Sequence, residues 1–587
     1  MKLLAHPRFP WLAALVGVLL CTPALFGGLV GDDYLWWVLL QGVGPMTGSL
    51  PPLLHVYNFI PGGVDLDVLQ GQGMLSWWAD PEISIALARP ASVLTHMLDH
   101  AVAPRAFALQ HAHSLAWYGI CILVTAWIYR RIHPGAGAVV GLAALLFAVE
   151  DAHAMNAAWL ANRHALISLV VGGLSFLAHL RWRASTRARW LLAALLIMAV
   201  GLLCGEATLG AAAYLVAWQL TLDQGSWARR LAGIAPYALL IGAWRAVYNL
   251  LGYGITGSGL YLDPGRSPLE FSLALLERWP QLQLGQWLQA PVDVVVFTVP
   301  EQYGLWVSAA AIAGCGGLLW YLWPTLRDDP RARFWGLGMS LSAIPLCAAF
   351  PMDRLLAFTG VGAFALLALQ AQAAGWLDGG QPRLSTPRRW ITGGLLAMHL
   401  PLAALLLLAR TGTLPQFGQV FRCAADSTPD EAAVEDQVFV HVTGHEFPTV
   451  YASLVRQVEG GHPPLRSALL SPFNAHHSVT REDQRTLVIH MQGGWLAQGF
   501  NRLERRAQLP FEPGETFTMP DYTAEIRAIT PSGDALEVAF EFERPLEDPL
   551  YRWLAWGPSG AREWAPPALG QRAELPSQSM TSFFAGP

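Results

Sequence analysis

The sequence predicts a polytopic α-helical membrane protein of about eleven spans, followed by a mainly-β domain outside the membrane. Of the 587 residues only 13% are charged while 53% are hydrophobic, and the mean hydropathy is +0.36. A soluble domain carries roughly 25% charged residues. Apolar runs long enough to cross a bilayer recur through the first 410 residues. Beyond that point the pattern changes to alternating strand-like runs divided by Gly, Pro and Asp.

The same composition narrows the partners. A net charge of −5 and the absence of a basic tract argue against nucleic acid. Twenty-five tryptophans suit the two interfacial belts of a membrane protein. Of the six cysteines, only Cys423 sits in a polar region, and no CxxC or disulfide framework is present.

The first apolar run, 11–30, follows Lys2 and Arg8 and is too long for the core of a typical signal peptide, so it reads as an uncleaved span. It ends in Gly31-Asp32-Asp33-Tyr34. Two adjacent carboxylates at the mouth of a membrane helix repel each other and are poorly solvated, which marks them as candidates for chemistry. Residues 31–110 form a long, aromatic first loop containing Trp77-Trp78 and Arg89-Pro90. After Pro90 the spacing of Val93, Leu94, Met97 and Leu98 predicts a short amphipathic helix lying on the interface. Further spans are predicted near 112–131, 136–150, 160–180, 189–205, 207–222, 230–251, 304–324, 334–350, 355–376 and 390–410. The segment 282–299, with Pro291 and Asp293, reads as interfacial or re-entrant.

Arginine placement sets the expected sidedness. With the N-terminus in the cytoplasm, Arg130-Arg131, Arg181 to Arg189, Arg229-Arg230, Arg327 to Arg333 and Arg383 to Arg389 all fall inside. The outer loops then carry Asp32-Asp33, Asp151, Glu206 and Asp353, and everything after residue 410 is external. The expected domains are 1–410 in the membrane, a linker at 411–435, and a mainly-β extracytoplasmic domain at 436–587. Strand-like runs there include 438–442, 486–490, 523–527 and 536–542. His441, His445, Glu446, His476 and His477 lie in this domain without a recognised metal-site spacing, and read as structural or solvated.

Carboxylates held at a membrane surface suit general-base work, and a pair of them can also hold a divalent cation. Arginine is the natural partner of phosphate, because its planar fork binds two oxygens at once. Arg163, Arg245 and Arg354 each lie in or beside a span toward its expected outer end, which favours a lipid-phosphate site.

These motifs, in this order and on one side, resemble the GT-C superfamily of integral membrane glycosyltransferases. Gly31-Asp32-Asp33-Tyr34 is similar to its first-loop motif and Arg89-Pro90 to the pair that closes that loop. Trp159 to Arg163, Gly205-Glu206 and Asp353-Arg354-Leu-Leu-Ala-Phe resemble motifs of the bacterial protein mannosyltransferase and TMTC-like branch. The chain departs from that branch at Asn156, where a glutamate is usual, and at His164-Ala165, and it lacks tetratricopeptide repeats.

The resemblance implies inverting transfer of a sugar from a polyprenyl-phosphate-linked donor to an extracytoplasmic protein, lipid or glycan. Asp32 or Asp33 would be the base, with Asp33 a candidate metal ligand if a divalent cation takes part. Arg163, Arg245 and Arg354 would bind the donor phosphate. Asp151, Glu206, Arg89 and Asp353 would support the cavity. It also implies a bacterial cytoplasmic (inner) membrane location with the C-terminal domain in the periplasm. Two other readings stay open: a non-catalytic envelope-assembly protein on the same fold, and a lipid or solute transporter. The sequence shows no convincing internal repeat of the kind transporters usually carry.

Overall fold

The computed structural model describes residues 2–42, 51–294, 303–377, 379–427, 429, 431–497, 499–557 and 560–578, without the side chains of 432, 433, 446–448 and 499. The chain is a helical membrane protein with a C-terminal β-sheet region. Each of the eleven expected segments contains helix, although not each is covered along its length. Six among the described residues are long and apolar enough to cross a membrane: Phe9–Phe26, Phe107–Ile132, Leu160–Ser185, Trp227–Leu250, Gly304–Asp328 and Thr386–Asp426. The bent pair Gly137–Ala148 and Asp151–Ala158 makes a seventh if it is one span. Ala188–Cys204 and Ala357–Ala373 are apolar but shorter. Residues 282–288 close the helix Pro268–Leu288, whereas 295–299 of the expected re-entrant segment lie outside the described residues.

Local sequence explains the helix ends. Ser226 caps Trp227–Leu250 by accepting from Arg229 N, and Asp329 caps Pro330–Ser342 by accepting from Arg331 N at 2.8 Å, with proline at the first helical position. Between helices, tyrosine hydroxyls satisfy carbonyls: Tyr129 donates to Val361 O and Tyr214 to Phe358 O, both at 2.8 Å. Small residues allow close approach, as membrane helices require. A Cβ on Gly17 would lie 2.5 Å from Ala148 O.

The described chain divides into two compact units. The membrane unit comprises Met1–Gly28, Ala88–Tyr253 and Asp263–Leu414. The second comprises Leu29–Leu87, Gly254–Leu262 and Pro415–Pro587. This differs from the boundaries expected from sequence. The stretch 411–435 is not a plain linker, because Leu414, Val420 and Ala424 keep a buried helical face and the helix Ala403–Asp426 runs through it. Most of the first loop folds with the tail, because Trp77 and Trp78 are buried in the tail's core and Trp77 Nε1 donates to Leu470 O at 3.0 Å.

In the second unit a six-stranded antiparallel sheet has the order Arg572–Leu575, His477–Arg481, Thr486–Met491, Ala535–Phe542, Tyr522–Ile529, Thr516–Thr518. A four-stranded sheet runs Gly560–Glu563, Tyr551–Gly557, Val438–Thr443, Arg466–Leu469, and its last three strands are mutually parallel. The helix Glu446–Glu459 is the crossover that a parallel strand pair needs. A small three-stranded sheet, Asn58–Ile60, Ser84–Ala86 and Gly254–Thr256, completes the unit. Burial pushes His441, His445 and His477 down to about 4, so they stay neutral at pH 7. The side chain of Glu446 lies outside the described residues.

In the membrane unit the amphipathic helix forms as Pro90–Val102. It buries Ser92, Val93 and His96 and exposes Leu94, Met97, Leu98 and Val102. Val93 thus leaves the expected apolar face and packs inward.

Candidate active site

The acidic pair opens the helix Asp32–Leu40 in the second unit. Gly31 precedes it at φ 53°, a left-handed conformation that favours glycine. Asp33 is buried and turns back along the chain, where its Oδ2 accepts from Val30 N at 3.0 Å. Asp32 is partly exposed, and its Oδ1 accepts from the Tyr451 hydroxyl. The two carboxylates therefore differ: one is buried and bound to the backbone, the other is partly exposed and bound to a phenol. Among the described residues no group of three or more His, Cys, Asp or Glu side chains is arranged to hold a metal ion.

In the membrane unit the arginines separate into distinct kinds. Arg163 is fully buried and its guanidinium is spent internally. It pairs with Asp99 at 2.5 Å and donates to Ser114 Oγ and to Gln110 O, both at 2.8 Å. That saturation leaves it poorly suited to bind a donor phosphate. Arg245 pairs with Asp263. Arg89 pairs with Glu206 at 2.8 Å, and Tyr248 donates to the other oxygen of Glu206 at 3.0 Å.

Arg354 differs from all three. It is half-buried, lies 5.6 Å over the Trp159 ring and reaches Asn162 Oδ1 at 3.4 Å and Met352 Sδ at 3.2 Å. It makes no ion pair with the described residues. Asn162 Nδ2 donates to Asn156 Oδ1, and the fully buried Asn156 Nδ2 has no hydrogen-bond partner among the described residues. An uncompensated guanidinium and an unused amide N–H thus flank the same Asn162. A buried donor without a partner is costly, so this pair suits an anionic ligand.

Next to it is a cluster that the sequence reading did not assemble. Arg410 bridges Asp353 at 2.7 Å and Asp151 at 2.8 Å, with Asp293 at 3.6 Å. Asp353 Oδ1 also accepts from Val292 N at 3.1 Å, and Asp293 Oδ1 accepts from Asp353 N at 2.7 Å. Burial first, and then the Asp293 charge, raise the Asp353 carboxyl to about 7, although Arg410 opposes the shift. Glu150 completes the group with His399 at 3.1 Å and Gln286 at 3.2 Å. Arg410 ends the last apolar run, so the criterion that selected Arg163, Arg245 and Arg354 applies to it equally.

No protein-family model and no curated protein matches the chain. Among the solved structures similar to it are these two. One is the oligosaccharyltransferase of Archaeoglobus fulgidus, in complex with zinc and sulfate, at 13% identity and a TM-score of 0.43. That match covers 78% of this chain, and the chain spans only 62% of that enzyme's length. The other is ArnT from Cupriavidus metallidurans bound to undecaprenyl phosphate, at 13% identity and a TM-score of 0.34 over 90% of this chain and 97% of the other.

Proposed function

We propose that this chain is a membrane glycosyltransferase of the GT-C type that takes a sugar from a polyprenyl-phosphate donor and passes it to an extracytoplasmic acceptor, with inversion. The observation that carries the reading is Arg354: a half-buried guanidinium, braced on Trp159, with no carboxylate among the described residues to neutralise it. It is the candidate for the leaving phosphate, with Asn156 Nδ2 as a second donor. Where the resembled branch usually has a glutamate, the Asn156 amide leaves the Arg354 charge unopposed. Arg163, Arg245 and Arg89 hold the fold around them through their own carboxylates.

Asp32 is the candidate base, because Asp33 is buried and bound to the backbone. Asp32 would take the proton of the acceptor hydroxyl as that oxygen bonds to the anomeric carbon. The bond from that carbon to the phosphate oxygen breaks, and its electron pair leaves with the polyprenyl phosphate. The proposed setting, as the resemblance implies, is a bacterial inner membrane; the arginine-rich loops support an orientation with the N-terminus inside and the C-terminal part in the periplasm.

The test is complementation of a strain lacking the gene, scored by lipid-linked sugars that accumulate and by surface glycans. Wild type should clear the accumulated donor, whereas Asp32→Asn and Arg354→Met should not. Full rescue by both variants would remove the enzymatic reading and leave a scaffold or a transporter.

A further inference from the structure

The phenol that meets Asp32 comes from a distant part of the chain. We propose that Tyr451 is a positioning residue for Asp32, so that the C-terminal β-sheet region takes part in the reaction instead of merely covering it. The inference rests on Asp32 being the base.

The sequence builds this contact deliberately. The strand Val438–Thr443, the helix Glu446–Glu459 and the parallel strand Arg466–Leu469 form one crossover unit, which fixes the helix against a sheet. The helix packs on Asp32–Leu40, and Tyr451 is buried on the face between them. Its hydroxyl donates to Asp32 Oδ1. Phe421 meets the Tyr451 ring edge-on, with centroids 5.5 Å apart at 86°. The same Phe421 ring would lie 3.2 Å from a Cβ on Gly31. One phenylalanine therefore braces both the phenol and the backbone turn that presents the carboxylate.

Burial, reinforced by the charge of Asp32, keeps the Tyr451 phenol well above its ordinary range, so it remains a donor. A hydrogen bond given to the ionised carboxylate favours that form and holds one rotamer. Among the described residues, other titratable or charged groups lie around the helices Asp32–Leu40 and Glu446–Glu459. Asp33 is tied to Val30 N, and Tyr34 accepts from Arg422 Nε at 3.3 Å. Arg422 is in turn paired with Glu459 at 3.3 Å, with Asp426 nearby. His55 is buried on the short helix Pro52–His55 that packs beside it, Arg456 donates to Ala425 O, and Tyr261 is within electrostatic reach of Tyr451.

The experiment measures pH profiles of sugar transfer by the full-length protein for wild type, Asp32→Asn, Tyr451→Phe and Phe421→Leu. Tyr451→Phe keeps the ring and its packing and removes only the hydroxyl. The expected result is a fall in kcat of about tenfold or more, an unchanged KM for the donor, and an acidic limb moved up by about one pH unit. Phe421→Leu should leave the acidic limb where it is, since the phenol is retained. A Tyr451→Phe profile that superimposes on wild type, while Asp32→Asn is inactive, overturns the role of Tyr451 and leaves the base assignment intact. A limb that moves equally in Phe421→Leu reduces Tyr451 to packing. An active Asp32→Asn removes the base assignment itself.

Discussion

At the scale of single residues, function is proposed where electrostatic accounts fail to close. Arg163 and Arg354 look alike in the sequence, yet one is fully buried against Asp99 and the other stands on Trp159 without an acid. Their substitutions should separate cleanly. Arg163→Met leaves the largely buried Asp99 with His113, at 2.7 Å, in place of its guanidinium and should cost about 3 kcal/mol, seen as a lowered melting temperature in detergent. Arg354→Met should leave melting nearly unchanged and weaken binding of a polyprenyl phosphate, the leaving group of the proposed donor, by about tenfold or more, measured in nanodiscs. The residue types of the site were legible in the sequence, because charges at the ends of apolar runs are rare and stand out. Which arginine is already paired was not, since its partner can lie 64 positions away, as Asp99 does from Arg163. Arg410 met the same criterion at the end of the last apolar run and was passed over; what the sequence does not show is that its three aspartates come from three separate loops.

At the scale of elements, Arg410 works as a clasp. It joins the turn at Asp151–His153, the segment around Asp293 and the turn at Asp353–Leu355 to the last long helix. Arg410→Met leaves three carboxylates facing one another. Hydrogen exchange should then rise in 149–158, 290–294 and 351–356 before it rises elsewhere.

Asp353 adds a pH signature to the clasp. Its carboxyl is raised in the folded chain from an ordinary 3.8 to about 7, so between those values the folded form holds a proton that the unfolded form has lost. Stability from this group is therefore greatest below about 4 and declines as the pH rises toward 7. Asp353→Asn should flatten that decline, as read from melting temperatures at pH 5 and pH 8. The long apolar helices were legible, since apolar length announces them, whereas the polar helix Glu446–Glu459 was not. The turn geometry was not, because it depends on carboxylates that meet only after folding.

At the scale of the whole molecule, the sequence reading placed a composition break near residue 411, and composition does change there. The folded units follow burial instead. Trp77 and Trp78 are 1% exposed and sit in a core with Val440, Ile489 and Phe540. An aromatic pair in a loop signals only that something must cover it, and the sequence does not say which part of the chain will. Truncation after residue 435 removes that cover. The segment 51–87 should then become sensitive to proteases that spare it in the full chain.

That shared core also sets a schedule for biosynthesis. Trp77 leaves the ribosome 393 residues before Leu470, the carbonyl that receives its indole N–H. At about 5–20 residues per second the wait is roughly 20–80 seconds. During that interval most of the membrane helices are made while two bare tryptophans wait for their cover. Until its last third has been translated, that loop lacks the cover it has in the folded chain.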